Sequence, residues 1–173
     1  MSGAGDFEEF AANRAGRLFQ VAYLMCGDWH QAQDLVQTTL AKMYSVWGRL
    51  RRGEDDPSLD AYARKVLLRC YLSHRRLRRS GEIAVADLPD SPTALDDLTG
   101  TGTELRLTLV AALRTLPPRN RAVVVLRYLE DHSIEAVAEM LGTSPAAVKG
   151  LSTRSLARLR EILADDRELL LQP

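Results

Sequence analysis

Cysteine is scarce in this 173-residue chain, limited to Cys26 and Cys70. Two cysteines cannot form a disulfide framework, and without an export signal they read as reduced thiols used as small core residues. No apolar run approaches the roughly 20 residues that a membrane span needs. The opening stretch, Met1 to Glu9, is polar and acidic where a secretory signal is basic and then apolar, so a cytoplasmic location is expected. The chain also lacks a Ser-His-Asp set, a phosphate loop and a convergent carboxylate pair, and His30, His74 and His132 have no catalytic setting. The expectation is a binding protein that is not an enzyme and carries no cofactor and no metal.

Net charge is absent too, at zero, yet this balance conceals a division. Residues 1–81 carry 13 Lys or Arg against 9 Asp or Glu, residues 82–104 carry none against 6, and residues 105–173 carry 10 against 8. Two basic blocks flank an acidic strap. The strap, Glu82 to Glu104, contains Pro89, Pro92, Gly100 and Gly102 and no sustained helical period, which marks a linker between two strongly periodic segments. Such a strap is either a solvated spacer or an extended segment suited to a basic channel in a partner.

In the first block the apolar spacing predicts three helices forming one core. One runs roughly from Phe7 to Met25 and breaks at Gly27. A second follows the N-cap Asp28, with Ala32, Leu35, Val36, Leu40, Met43, Val46, Trp47 and Leu50 on one face. Its other face carries Gln33, Asp34, Gln37, Thr38 and Lys42. The third spans about Leu59 to Arg79, with Leu59, Tyr62, Ala63, Val66, Leu67 and Cys70 inward. Cations gather on this helix and the loop feeding it: Arg49, Arg51, Arg52, Arg64, Lys65, Arg69, Arg75, Arg76, Arg78 and Arg79, with Glu54, Asp55 and Asp56 as the nearby acids. The cluster reads either as a solvated face or as a phosphate-tracking surface, on which Tyr62 and Tyr71 could stack unpaired bases if they are not core.

The second block predicts a helix from about Leu105 to Leu116, stopped by Pro117 and Pro118, and another from Arg119 to Leu129. A short helix follows, capped by Ser133, with Ile134, Val137, Ala138 and Leu141 inward. Gly142 fits the left-handed turn, Ser144 caps the next helix and Pro145 is its first residue. Small Ala138 permits a close crossing and Val148 reaches back into the shared core, as a DNA-binding helix-turn-helix requires. On the second helix Lys149, Ser152, Thr153 and Arg154 are expected to project away from Val148, with Arg158 and Arg160 farther along as DNA contacts or plain surface cations.

Three stretches, GDWHQAQDLVQTTLAKMYSVW, AYARKVLLRCYLSHRRLRR and LPPRNRAVVVLRYLEDHSIEAVAEMLGTSPAAVKGLSTRSLARLR, occur in an order that resembles the group IV, extracytoplasmic-function sigma factors of bacterial RNA polymerase. The SigE-like actinobacterial branch of the sigma-70 family is the nearest in pattern. The resemblance covers nearly the whole chain and implies an all-α protein of two small helical domains joined by an acidic flexible linker. Residues 1–81 become a sigma-2-like domain, 82–104 the linker and 105–173 a sigma-4-like domain.

The resemblance further implies that Asp34, Gln37 and Thr38 dock on the clamp helices of the largest polymerase subunit. Arg51, Arg52, Arg64, Lys65, Arg69, Ser73, Arg75 and Arg76 would meet and melt the -10 element. Ser144, Lys149, Ser152, Thr153, Arg154 and Arg158 would read the -35 element, with the same domain touching the flap of the second-largest subunit. The strap would thread the polymerase cleft, and an anti-sigma factor is a further partner the resemblance implies. The pattern departs from the family at Arg69 and Ser73, where Asn and then Asp or Asn are common, and at Gly150 and Leu151, where Lys149 is usually followed by Ser and then Arg or Gln. Gly150 weakens its helix by roughly 1 kcal/mol relative to alanine.

Two rival readings follow from the same residues. A helix-turn-helix regulator that never joins polymerase needs a ligand or phosphoacceptor domain, and the first block looks like neither. A metal or redox site could draw on Cys26-x3-His30 and Cys70-x3-His74, but this spacing is not the usual Cys-x2-Cys knuckle, and Cys70 lies on an inward helical face.

Overall fold

The computed structural model describes residues 2–52, 58–81 and 103–170. The chain divides into two compact units, Met1–Asp90 and Ser91–Pro173. Within the acidic strap, residues 82–102 lie outside the described residues, as do Glu54, Asp55 and Asp56, while Thr103 already opens a helix. Among the described residues every regular element is helical.

The first unit consists of α1 (Ser2–Cys26), α2 (Trp29–Leu50) and α3 (Leu59–Ser80). Gly27 turns the chain at φ 69° and donates its N–H to the Tyr23 carbonyl at 2.7 Å. Asp28 then accepts the Gln31 N–H at 2.7 Å, satisfying one of the orphan donors that open α2. The turn makes α1 and α2 antiparallel: Phe19 meets Trp29 edge-on at 4.4 Å at one end, and Phe7 meets Trp47 at 5.1 Å at the other. Ser58 caps α3 by accepting the Ala61 N–H at 3.1 Å, and Gly81, at φ 78°, closes it.

Ala22 and Met25 of α1, Ala32, Met43 and Trp47 of α2, and Leu67, Leu68 and Tyr71 of α3 are buried in this unit's core. Each of the larger side chains contributes roughly 1.5–3 kcal/mol by leaving water. Tyr71 is fully buried, which overturns its reading as a stacking platform; Tyr62 is half-buried.

The second unit opens with α4 (Thr103–Arg114) and continues through α5 (Pro118–Val124), where Pro118 occupies the first helical turn. The helix expected to run on to Leu129 instead changes winding. Val125–Leu129 form a π-helical turn, with the Glu130 N–H reaching the Val125 carbonyl at 3.0 Å. Arg127 then donates to the His132 carbonyl, and Asp131 takes the left-handed conformation at φ 56°.

Ser133 caps α6 (Ile134–Leu141) through the Ala136 N–H at 3.0 Å. Gly142, at φ 61°, makes the turn with the Thr143 N–H on the Ala138 carbonyl at 2.9 Å. Ser144 caps α7 (Pro145–Leu170) through the Ala147 N–H at 3.1 Å. Val137, Ala138 and Val148 are buried, and α7 packs on α5 as well as α6. The geometry is a helix-turn-helix whose second helix continues well past the motif.

Candidate nucleic-acid and partner interfaces

The outward face of α7 follows from what its inward face must bury. Val148, Ser152, Ser155 and Leu159 are all buried, a spacing of four, three and four that traces one helical seam. Lys149, Thr153, Arg154, Arg158 and Arg160 are exposed. Ser152 therefore does not project toward DNA as the sequence suggested. It is 4% exposed, and its hydroxyl donates to the Val148 carbonyl at 2.8 Å, the usual way an inward helical serine satisfies itself. The polar residue type hid an inward position that the 148/152/155/159 spacing reveals.

Asn120 of α5 donates to the Ser155 hydroxyl at 3.2 Å, tying the long helix to its support. On the open face, the Thr153 hydroxyl donates to the Lys149 carbonyl at 3.0 Å and Arg158 pairs with Glu161 at 3.2 Å. Lys149 and Arg154 thus have the right chemistry for guanine edges or phosphates. Ser144 is exposed at the helix start, where free backbone N–H groups and the helix dipole favour anions.

On α2, Gln33, Asp34, Gln37, Thr38 and Lys42 are all exposed, and the stripe continues into Tyr44, 58% exposed. A cleft of about 180 Å³ separates this stripe from α3, with Asp34 and Thr38 on one wall and Ser73 and His74 on the other. Along α3, Arg69, Ser73, Arg76 and Arg79 are exposed while Arg64, Lys65, Arg75 and Arg78 are half-buried. Arg51 is held by Asp6 of α1, and Arg52 donates to the Gly48 carbonyl at 2.7 Å, so both are anchored while staying exposed.

The sequence reading missed the polar junction joining these two surfaces. Gln31, only 7% exposed, accepts from Arg78 at 3.0 Å, and its amide nitrogen lies 2.9 Å from His74 Nδ1. Arginine can only donate, so the Gln31 oxygen faces Arg78 and its amide donates to the ring. Nδ1 must then accept, which places the ring proton on Nε2 and makes the imidazole neutral. Burial, with Arg78 and Arg75 nearby, holds the His74 pKa below its ordinary 6.5 against the opposing pull of Asp34 and Asp28.

Between the lowered folded pKa and 6.5 the unfolded chain binds more protons, so stability is fully present above pH 6.5 and falls as pH drops through the folded value. The thermal midpoint of the first unit is expected to fall between pH 7.5 and 5.5, and His74→Gln to flatten that slope. An identical slope in the variant sinks the assignment.

Cys26 is buried and donates to the Asp28 carbonyl at 3.2 Å, His30 is exposed, and His74 Nδ1 is engaged by Gln31. Among the described residues no three of His, Cys, Asp and Glu gather as a metal set.

The family profile of Sigma-70 region 2 matches residues 11–81, and that of Sigma-70, region 4 matches residues 106–159. The RNA polymerase sigma-E factor of Streptomyces coelicolor is 39% identical over 158 residues, 91% of this chain and 86% of that protein. The chain belongs to the extracytoplasmic-function group of sigma-70 factors.

The sigma-E factor of Streptomyces avermitilis is 37% identical, over 95% of this sigma factor and 88% of its own length. The solved structure of the sigma factor RpoE in complex with the anti-sigma factor NepR from Bartonella quintana superposes with a TM-score of 0.72. It covers 92% of this chain and 97% of that one at 22% identity, a likeness of fold. The sigma factor binds RNA polymerase core and directs promoter recognition and melting for transcription initiation. Among its described residues no helix is long and apolar enough to cross a membrane.

Proposed function

We propose that the sigma factor divides its work by residue, with polymerase docking on α2, the -10 element on α3 and the -35 element on α7. The observation that carries this reading is the exposed polar stripe of Asp34, Gln37 and Thr38, which lies across a single cleft from the cationic helix α3. A flat polar stripe on a rigid helix suits another helix, and the clamp helices of the largest polymerase subunit are that partner.

Arg51, Arg52, Arg64, Lys65, Arg69, Ser73, Arg75 and Arg76 form the -10 surface, where binding energy offsets the few kcal/mol needed to extrude a base. Ser144, Lys149, Thr153, Arg154 and Arg158 form the -35 surface, and Ser152 supports it from inside. The same unit touches the polymerase flap.

Residues 1–81 and 105–173 act as the two binding domains. The acidic segment 82–104 spans between them through the polymerase's basic cleft, and its charge is suited to that path. The protein works in the cytoplasm by binding alone and leaves nucleotide chemistry to the polymerase. An anti-sigma factor, the kind of partner in the RpoE complex of Bartonella quintana, holds it inactive.

Run-off transcription with purified core polymerase, with and without the chain, on genomic fragments tests this reading. Starts that appear only with the chain and share two spaced upstream motifs are expected. Tight DNA binding with no new starts would instead mark a stand-alone regulator.

A further inference from the structure

Glycine at position 150 is not required by the backbone. The glycines with left-handed backbone among the described residues are Gly27, Gly81 and Gly142, whereas Gly150 sits within the ordinary winding of α7. There a glycine only weakens the helix relative to alanine. The space above its Cα, however, is occupied. A Cβ built at Gly150 falls 3.3 Å from Nη1, 3.7 Å from Nη2 and 3.8 Å from Cζ of Arg154.

Residues 150 and 154 are four apart and therefore neighbours on the helix surface. The Arg154 guanidinium lies back over the bare backbone of Gly150, in the volume that a side chain there would take. A looser arrangement of the same kind occurs at the end of α2, where the side chain of Arg52, just beyond the helix, lies over Gly48, with Arg52 Nη2 3.7 Å from the position of a Cβ and Arg52 Nε bonded to the Gly48 carbonyl at 2.7 Å.

We propose that Gly150 is a specificity-determining residue of the -35 interface, acting by setting where the Arg154 guanidinium rests and so which base edge it meets. The inference rests on the assignment of α7 to the -35 element and adds a residue that itself makes no side-chain contact with DNA. A guanidinium reads guanine through two parallel hydrogen bonds to O6 and N7, a fork that tolerates little displacement. Alanine at 150 forces the flexible tip of Arg154 outward by a few tenths of an ångström, because 3.3 Å is tighter than an ordinary contact. That displacement changes the base preference at one position only. A merely structural role for Gly150 predicts instead a more stable helix and a uniform change in affinity for all sequences.

The test is run-off transcription with core polymerase on a promoter library randomised across the -35 element, using the unmodified chain, Gly150→Ala, Arg154→Ala and the double variant. Gly150→Ala is expected to shift base preference roughly fivefold or more at a single position. Arg154→Ala is expected to erase preference at that same position, and Gly150→Ala to add no change of preference when Arg154 is already alanine. Unchanged preference at every position in Gly150→Ala, with all sequences shifted equally, overturns the proposal. So does a Gly150→Ala shift that persists in the Arg154→Ala background, because the effect then does not pass through Arg154. In both cases chain-dependent starts would still be seen, so the functional reading stands. A complete absence of chain-dependent starts overturns that reading and this inference together.

Discussion

Asp34→Arg is expected to lower run-off transcription at limiting core polymerase by at least about tenfold while leaving the fold intact, because opposing a charge of the wrong sign across an interface costs several kcal/mol. Asp34 is exposed on α2, one turn before Gln37 and Thr38, so a longer side chain has open space around it. Exposed substitutions of this kind usually change stability by no more than about 0.5 kcal/mol. The loss should therefore appear in assembly. Raising the core concentration should restore part of the signal, and the thermal midpoint should stay near that of the unmodified chain.

His74 supplies an internal control for the same substitution. The Asp34 carboxylate favours the protonated ring, so its reversal pushes the His74 pKa further down; the acid loss of stability still begins near the unfolded value of 6.5 but runs to lower pH and becomes larger. That shift reports that the arginine has been built in place whether or not polymerase is present. Unchanged transcription in a variant that shows the His74 shift sinks the docking role of this face.

Legibility in the sequence followed the range of the interactions involved. Asp28, Ser133 and Ser144 were readable as caps, and Gly142 as a left-handed turn, because each acts within about four residues of itself. The exposed stripe of Asp34, Gln37 and Thr38 was readable because helical period alone assigns faces. The π-helical turn at Val125–Leu129 was not, since the apolar run from Ala122 to Leu126 is compatible with either winding. The change coincides with the return of the chain at Glu130 to His132, where Arg127 reaches the His132 carbonyl and the His132 N–H reaches the Leu126 carbonyl at 2.9 Å. Ser152 is outward by residue type but inward by spacing, and the spacing with Val148, Ser155 and Leu159 decides its place. The Gln31, His74 and Arg78 junction spans 43 and 47 residues in sequence, and no local pattern announces it.

The second large effect concerns a charge that the sequence gives no reason to bury. Arg121 on α5 is 2% exposed, and its Nη2 donates to the carbonyls of Arg114 and Leu116, both at 3.0 Å. These carbonyls belong to the end of α4 and the residues just beyond it, where helical partners run out. The guanidinium therefore satisfies two acceptors and places a cation at the negative end of a helix dipole. Arg121→Met keeps most of the apolar length and removes both hydrogen bonds, leaving the buried Leu116 carbonyl and the part-buried Arg114 carbonyl without their donor.

The expected loss is about 2–5 kcal/mol in the second unit, a large share of the roughly 5–15 kcal/mol that holds a domain together. Arg121→Lys, which keeps a cation but loses the planar fork, should fall between the two. Urea unfolding should show one transition displaced and the transition of the first unit unmoved. Promoters that depend on their -35 element should lose activity as the helix-turn-helix melts. A methionine variant that unfolds at the unmodified midpoint would mean that neighbouring groups or water take over both carbonyls, and that Arg121 is buried for packing alone.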